Sequence, residues 1–145
     1  NRALEPHGLQ FGPDVSTGSR ANLGGMIGNN SAGARSIVYG KTIDHVNRLQ
    51  VILSDGSQVT FDALRPAEWE ERAERPTFEG KLYRTVGELV DRHRAEIERR
   101  FPKILRRVSG YNLPELAAPG PRGLHQLIVG SEGTLCVVAE AELAL

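Results

Sequence analysis

The residues best placed to do chemistry in this 145-residue chain are small ones. One cluster runs Gly12-Pro13-Asp14-Val15-Ser16-Thr17-Gly18 and resumes as Asn22-Leu23-Gly24-Gly25-Met26-Ile27-Gly28-Asn29-Asn30-Ser31-Ala32-Gly33. Most positions are glycine, a hydroxyl or a side-chain amide. Such a stretch builds no core of its own, but it can bring backbone N–H groups close to an anion, because glycine has no Cβ and tolerates unusual φ. A helix starting near Leu23 would add free N–H groups suited to a phosphate. A second cluster, Gly130-Ser131-Glu132-Gly133-Thr134-Leu135, reads as a tight turn presenting amides and hydroxyls ahead of a strand. Composition alone fits a ligand-free glycine loop or helix-packing surface equally well for the first cluster, and for the second it favours an ordinary turn. The sequence has neither a GK[ST] loop nor GxGxxG between a strand and a helix, which disfavours nucleoside triphosphate and Rossmann sites.

Other reactive types give less. His7, His45 and His125 are scattered without metal spacing, and the single cysteine, Cys136, excludes a disulfide framework and a CxxC-type zinc site. Cys136 reads as a small buried thiol, and Trp69 as a packing anchor. Eighteen basic and eighteen acidic residues cancel, which argues against a nucleic-acid partner. The basic run from Arg92 to Arg107 is interleaved with Glu96 and Glu98, so it reads as a solvated helix face or a face toward a neighbouring domain. No apolar run is long enough for a membrane span and no signal peptide opens the chain, so a cytoplasmic location is expected. Of sixteen glycines, eight fall between Gly8 and Gly40, whereas 22 of the 36 charges lie between Asp62 and Arg107.

These clusters need elements to position them. Val46 to Leu53 alternates, with Leu49, Val51 and Leu53 on one face, and Asp55-Gly56 signals a hairpin into Val59, Phe61 and Ala63. Pro66 opens a short helix. The spacing of Leu82, Val86, Leu89, Val90, His93, Ile97 and Phe101 predicts a long helix over residues 79–101, with His93 packed on its apolar stripe. Glu88 with Arg92 and Glu96 with Arg100 are its favourable i,i+4 pairs, and Pro102 ends it. Leu124 to Val129 reads as a short helix closed by Gly130. A last strand over 134–145 is expected to bury Leu135, Val137, Ala139, Ala141, Leu143 and Leu145 together. Mixed elements without a βαβ repeat give an α+β class, mainly antiparallel sheet flanked by helices.

Four ordered motifs then carry a resemblance: Pro13-Asp14-Val15-Ser16-Thr17, Gly24-Gly25-Met26-Ile27-Gly28-Asn29-Asn30, Tyr39-Gly40 and Gly130-Ser131-Glu132-Gly133-Thr134-Leu135. Their order resembles FAD-linked oxidases of the vanillyl-alcohol oxidase type, in the D-lactate, glycolate and D-2-hydroxyglutarate dehydrogenase branch. Arg107-Val108-Ser109-Gly110-Tyr111-Asn112-Leu113 is similar to the subgroup fused to an iron–sulfur region. The resemblance implies a flavin cradle at Pro13, Asp14, Ser16, Thr17, Gly24, Gly25, Gly28, Asn30, Gly33, Glu132, Gly133 and Thr134, with Ile27, Leu135 and Val138 as dry walls. Cys136 stands where the family usually has a small residue.

The resemblance also implies what is missing. No Arg-Gly-Gly-Gly-Thr-like pyrophosphate loop occurs, and the residues that act on the hydroxy acid belong to a C-terminal domain in that family. The chain thus reads as the second subdomain of an FAD-binding domain, residues 1–145, with no catalytic or metal-binding residue of its own. FAD, a small 2-hydroxy acid and an electron acceptor are expected in the parent protein, with an iron–sulfur cluster elsewhere in it. The piece alone is expected to bind FAD weakly or not at all, and to self-associate through its severed interface. Two other readings are a glycine-rich interaction module without catalysis and a flavin reductase of cell-wall precursor synthesis.

Overall fold

The computed structural model describes all 145 residues. Its frame is a three-stranded antiparallel sheet in the order β2-β1-β3, with β1 at Val46–Ile52, β2 at Gln58–Asp62 and β3 at Val137–Leu143. The β1–β2 hairpin follows the predicted register, pairing Leu49 with Phe61 and Val51 with Val59. Gly56 takes φ 83° in its turn, and the Asp55 carboxylate accepts from both the amide and the hydroxyl of Ser57. Those two bonds hold the Asp55 carboxyl below its ordinary range.

Six α-helices complete the chain: α1 at Leu23–Gly28, α2 at Ser36–Tyr39, α3 at Pro66–Glu74, α4 at Phe78–Arg100, α5 at Leu113–Ala117 and α6 at Leu124–Ile128. α3 and α4 form a hairpin over one face of the sheet. The Glu68 carboxylate accepts from the Arg65 amide at the start of α3, and the Thr77 hydroxyl accepts from Gly80 N at the start of α4. α6 ends at Ile128 with Val129 as its cap, and the following Gly130, at φ 85°, fits the left-handed position after a helix. Leu49, Val51, Phe61, Trp69, Tyr83, Val90, Leu116 and Val129 make the core, each at most 2% exposed. Trp69 packs edge-on to Tyr83 at 4.8 Å between centroids, with the Arg122 guanidinium 4.4 Å over its ring. The outer face of the sheet is polar: Arg48 meets Glu142 at 2.5 Å, across from Asp62.

The structure corrects four expectations. The buried side of α4 is rotated from the expected stripe: Gly80, Tyr83, Gly87, Val90 and Ile97 face inward, while His93 is exposed and Leu89 is 45% exposed. Gly80 and Gly87 cause this, because their missing side chains admit close neighbours. A Cβ on Gly80 would lie 2.1 Å from the Arg75 carbonyl, and one on Gly87 3.1 Å from Trp69 Nε1. On the wet side Glu96 pairs with Arg99 and Arg100, but Asp91 rather than Glu88 forms the other links, to Arg94 and Arg122.

The third correction concerns the last strand, which begins at Val137 and does not bury the odd-numbered set as one face. Val138 lies opposite Val51, then the register skips Ala139, and Ala141 lies opposite Leu49. That bulge moves the inward side from even to odd positions along β3. Cys136 and Val138 therefore pack on the core, while Val137 is 63% and Leu135 39% exposed. Burial raises the Cys136 thiol above its ordinary range. Ile27, expected as a ligand wall, is 2% exposed inside the core. No helix is long and apolar enough to cross a membrane.

Candidate functional site

The glycine-rich front begins as a loop. Phe11, Gly12 and Pro13 are buried, with Phe11 edge-on to His45 at 5.4 Å, and from Asp14 to Thr17 the chain turns outward. Asp14 meets Arg35 at 3.5 Å, both well exposed. The loop is pinned from below by Gly33: a Cβ there would stand 1.6 Å from the Asp14 carbonyl oxygen, so only a bare Cα lets the two strands of chain cross. Gly33 N donates to the buried Ser36 Oγ at 2.8 Å, fixing the crossing. Gly33 is therefore required by the chain's own packing.

α1 forms because Asn22, in extended conformation, caps it; its Oδ1 accepts from Gly25 N at 2.6 Å. Met26 and Ile27 turn into the core, which leaves Gly24 and Gly28, four residues apart, on the side away from them. Neither glycine has an internal steric reason. A Cβ on Gly24 would make one ordinary contact, 3.7 Å from the Asn22 Oδ1, and one on Gly28 would meet nothing within 4 Å. Their backbone is helical, so no left-handed φ demands glycine there. Gly25 is different, because a Cβ would press on the capping Asn22 oxygen at 3.1 Å.

Two segments a hundred residues apart in sequence meet at the end of α1. Gly130 N donates to the Ile27 carbonyl at 2.9 Å and Glu132 N to the Gly28 carbonyl at 2.8 Å. These bonds satisfy helix-terminal carbonyls and seat the 130–134 turn on α1. Asn30, fully buried at φ 48°, backs the junction; its Oδ1 accepts from Ile43 N at 3.0 Å, while its Nδ2 has no partner. Around the junction lies an open cleft of about 410 Å³ lined by Ser16, Thr17, Asn29, Ser31, Ser109 and Glu132, among others. Glycines and hydroxyls at its rim can approach a polar, flat ligand closely.

The structure thus gathers Ser16, Thr17 and Glu132 around one cleft, with Gly24 and Gly28 on the bare side of the adjoining helix. Gly133 and Thr134 continue its rim and are exposed. Pro13, Gly33 and Asn30 are buried supports rather than surface, and Val138 packs in the sheet opposite Val51. Sequence reasoning missed Asn29, Ser31, Val108, Ser109 and Gly110 as lining residues. The Ser109-Gly110 step belongs to the Arg107–Leu113 motif, whose resemblance marks a subgroup but gives these residues no place in the site. A wider cleft of about 570 Å³ between the end of α4 and α5 contains none of these residues. No group of three or more His, Cys, Asp or Glu is placed to hold a metal.

Comparison with known proteins adds sequence relationships to this geometry. A model of the FAD binding domain family matches residues 1–62. D-2-hydroxyglutarate dehydrogenase of Pantoea ananatis is 39% identical over 145 residues, covering 99% of this chain and 14% of that protein. A glycolate oxidase subunit of Bacillus subtilis is 31% identical over 99% of this chain and 20% of its own length. D-lactate dehydrogenase of Archaeoglobus fulgidus is 27% identical over 96% of this chain and 20% of its own length. The chain spans about 14% of the length of the hydroxyglutarate dehydrogenases it matches. Residues 1–62 are thus similar to the FAD binding domain family, and the whole chain is similar to D-2-hydroxyglutarate dehydrogenases, a glycolate oxidase subunit and a D-lactate dehydrogenase.

Proposed function

We propose that this chain forms one wall of the FAD site in a longer flavin-dependent dehydrogenase that oxidises a D-2-hydroxy acid. The observation that carries the reading is the face of α1. Gly24 and Gly28 have no neighbour and no φ that requires glycine, so the partner that excludes a side chain there lies outside the chain. A flat cofactor resting on bare helix backbone is such a partner. The unpartnered Nδ2 of buried Asn30, just behind the junction, fits a site completed by more than these residues.

The chain's own residues supply positioning. Ser16 and Thr17 hydroxyls and the Asn29 Nδ2 offer donors along the cleft, while the Ser31 hydroxyl donates to Asn29 Oδ1 at 2.5 Å and orients that amide. The Glu132 carboxylate would repel a phosphate and accept from hydroxyls, so it suits the sugar or ribityl part of the ligand better than the pyrophosphate. Gly24, Gly25, Gly28 and Gly133 would leave room for the ring system, while Pro13, Asp14, Asn30, Gly33, Thr134 and Val138 hold the supporting backbone. FAD, when bound, supplies the hydride acceptor, and the protein's part is to bind it and orient it. Groups that remove the substrate hydroxyl proton would belong to the rest of the longer protein, of which this chain would be the second FAD-binding subdomain. An electron acceptor and any iron–sulfur centre would lie outside this chain as well, since Cys136 is its only cysteine.

The test is anaerobic flavin reduction in the full-length protein. D-2-hydroxyglutarate, D-lactate and glycolate are added in turn, with L-2-hydroxyglutarate as the control. Bleaching of bound flavin by a D-acid or glycolate, and not by the L-acid, is the expected result. A full-length protein that carries no flavin, or whose flavin none of these acids reduces, would overturn the reading.

A further inference from the structure

We propose that Tyr111 is a positioning residue for the cofactor, acting by closing the free end of the 130–134 turn; this rests on the flavin reading above. The turn is unusually demanding. Gly130, Glu132 and Gly133 all have positive φ, at 85°, 53° and 76°. Glu132 has a side chain, so its left-handed backbone costs of the order of 1 kcal/mol unless surrounding contacts hold it. The front end is held well: Gly130 N and Glu132 N bond to α1 carbonyls, and a Cβ on Gly130 would meet Asn30 Cβ at 3.2 Å.

The far end has less support. Gly133, Thr134 and Leu135 are exposed, and β3 pairing does not begin until Val137. Thr134 bonds back within the turn, its amide and hydroxyl both donating to the Ser131 carbonyl, at 3.0 and 2.6 Å. Since its hydroxyl proton is spent there, the Tyr111 hydroxyl, 2.9 Å from Thr134 Oγ1, must be the donor between them. It is the side-chain link from outside the turn to this end.

Tyr111 is itself well placed to act as a clamp. The next residue, Asn112, is 2% exposed, and its Nδ2 donates to the Val129 carbonyl at 2.6 Å. Adjacent residues thus grip the start and the end of one strap, Asn112 from within the core and Tyr111 from the rim. The preceding Val108, Ser109 and Gly110 line the cleft. The segment 108–112 therefore couples the cleft's third wall to the shape of the turn, and the Tyr111 hydroxyl sets where Gly133 and Thr134 sit.

The test uses the full-length protein with Tyr111→Phe, Thr134→Val and the double variant. FAD affinity is measured by flavin fluorescence titration, and stability of the FAD-free protein by thermal melting. Tyr111→Phe loses one hydrogen bond of about 1 kcal/mol and should weaken FAD binding about five-fold; Thr134→Val loses the bond to the Ser131 carbonyl as well and should weaken it at least as much. The double variant should lose no more than Thr134→Val alone, because the Tyr111 link is already broken in that variant. Melting of the FAD-free forms should be unchanged, since the bond is on the surface. Binding within two-fold of wild type for Tyr111→Phe, additive losses in the double variant, or losses that track melting would each overturn the proposal. A wild-type protein that binds no FAD would instead sink the reading on which it rests.

Discussion

Substituting alanine at Gly28 separates two reasons a protein can have for glycine. If the residue serves the fold, a methyl group must harm the protein without its ligand. The structure says the reverse, since an added Cβ meets nothing within 4 Å and the backbone is already helical. Alanine is favoured over glycine by about 0.5–1 kcal/mol in a helix, with the lower part of that range apt near a helix end. In the FAD-free full-length protein, amide hydrogen exchange across residues 23–31 should therefore slow about two- to five-fold in Gly28→Ala. The same methyl would stand where we place the cofactor. Overpacking a close contact costs about 1–3 kcal/mol, so FAD affinity should fall by about five- to 150-fold. Gly33→Ala is the matched control: its Cβ would lie 1.6 Å from a backbone oxygen, so it should destabilise the protein by about 3 kcal/mol or more whether or not FAD is present. Faster exchange around α1 in Gly28→Ala would show that the glycine serves internal packing. Unchanged FAD affinity in a better-protected helix would show that nothing rests on that face.

Two further outcomes follow from the core. Trp69→Ala should cost about 3–5 kcal/mol in urea unfolding of the chain, because a 2% exposed indole is lost from beneath Arg122 and beside Tyr83; a loss under 1 kcal/mol would contradict the packing described. His125 is buried, and desolvation, only partly offset by Asp62, holds its folded-state pKa below the ordinary 6.5. The unfolded chain then takes up a proton first as pH falls, so stability present above pH 6.5 should decline below it, and His125→Gln should flatten that slope. Equal slopes in the two proteins between pH 8 and 5 would exclude the mechanism.

Local signals were legible where a short pattern met a simple environment. Asp55-Gly56 between alternating strands has few alternatives, and Gly130 after Ile128 needed only helix-end geometry. The inward side of α4 was not legible, because the pattern counts apolar residues and takes no account of glycines. Gly80 and Gly87 decide which side can approach α3, since the Arg75 carbonyl and Trp69 take the space they leave, and Tyr83 packs edge-on to that Trp69. The face of β3 failed for a similar reason: alternation is a reliable guide until a bulge, and Ala139 gives no sign of being one. At the site, the motifs pointed to the right segments but not to their division of labour. Gly33 and Gly28 look alike in sequence, yet one is bare to let Asp14 pass and the other is bare toward open space. Only the contacts around each Cα separate structural glycine from glycine kept for a ligand.

On the reading proposed above, the bare face of α1 and the 130–134 turn are the wall against which FAD lies. The most direct measurement is an experimental structure of the full-length protein with FAD bound. The expected result is van der Waals contact between the Gly24 and Gly28 Cα atoms and the cofactor, with Ser16, Thr17 and Glu132 along its length. FAD found elsewhere, with the Gly24–Gly28 face covered by protein or left to solvent, would contradict it.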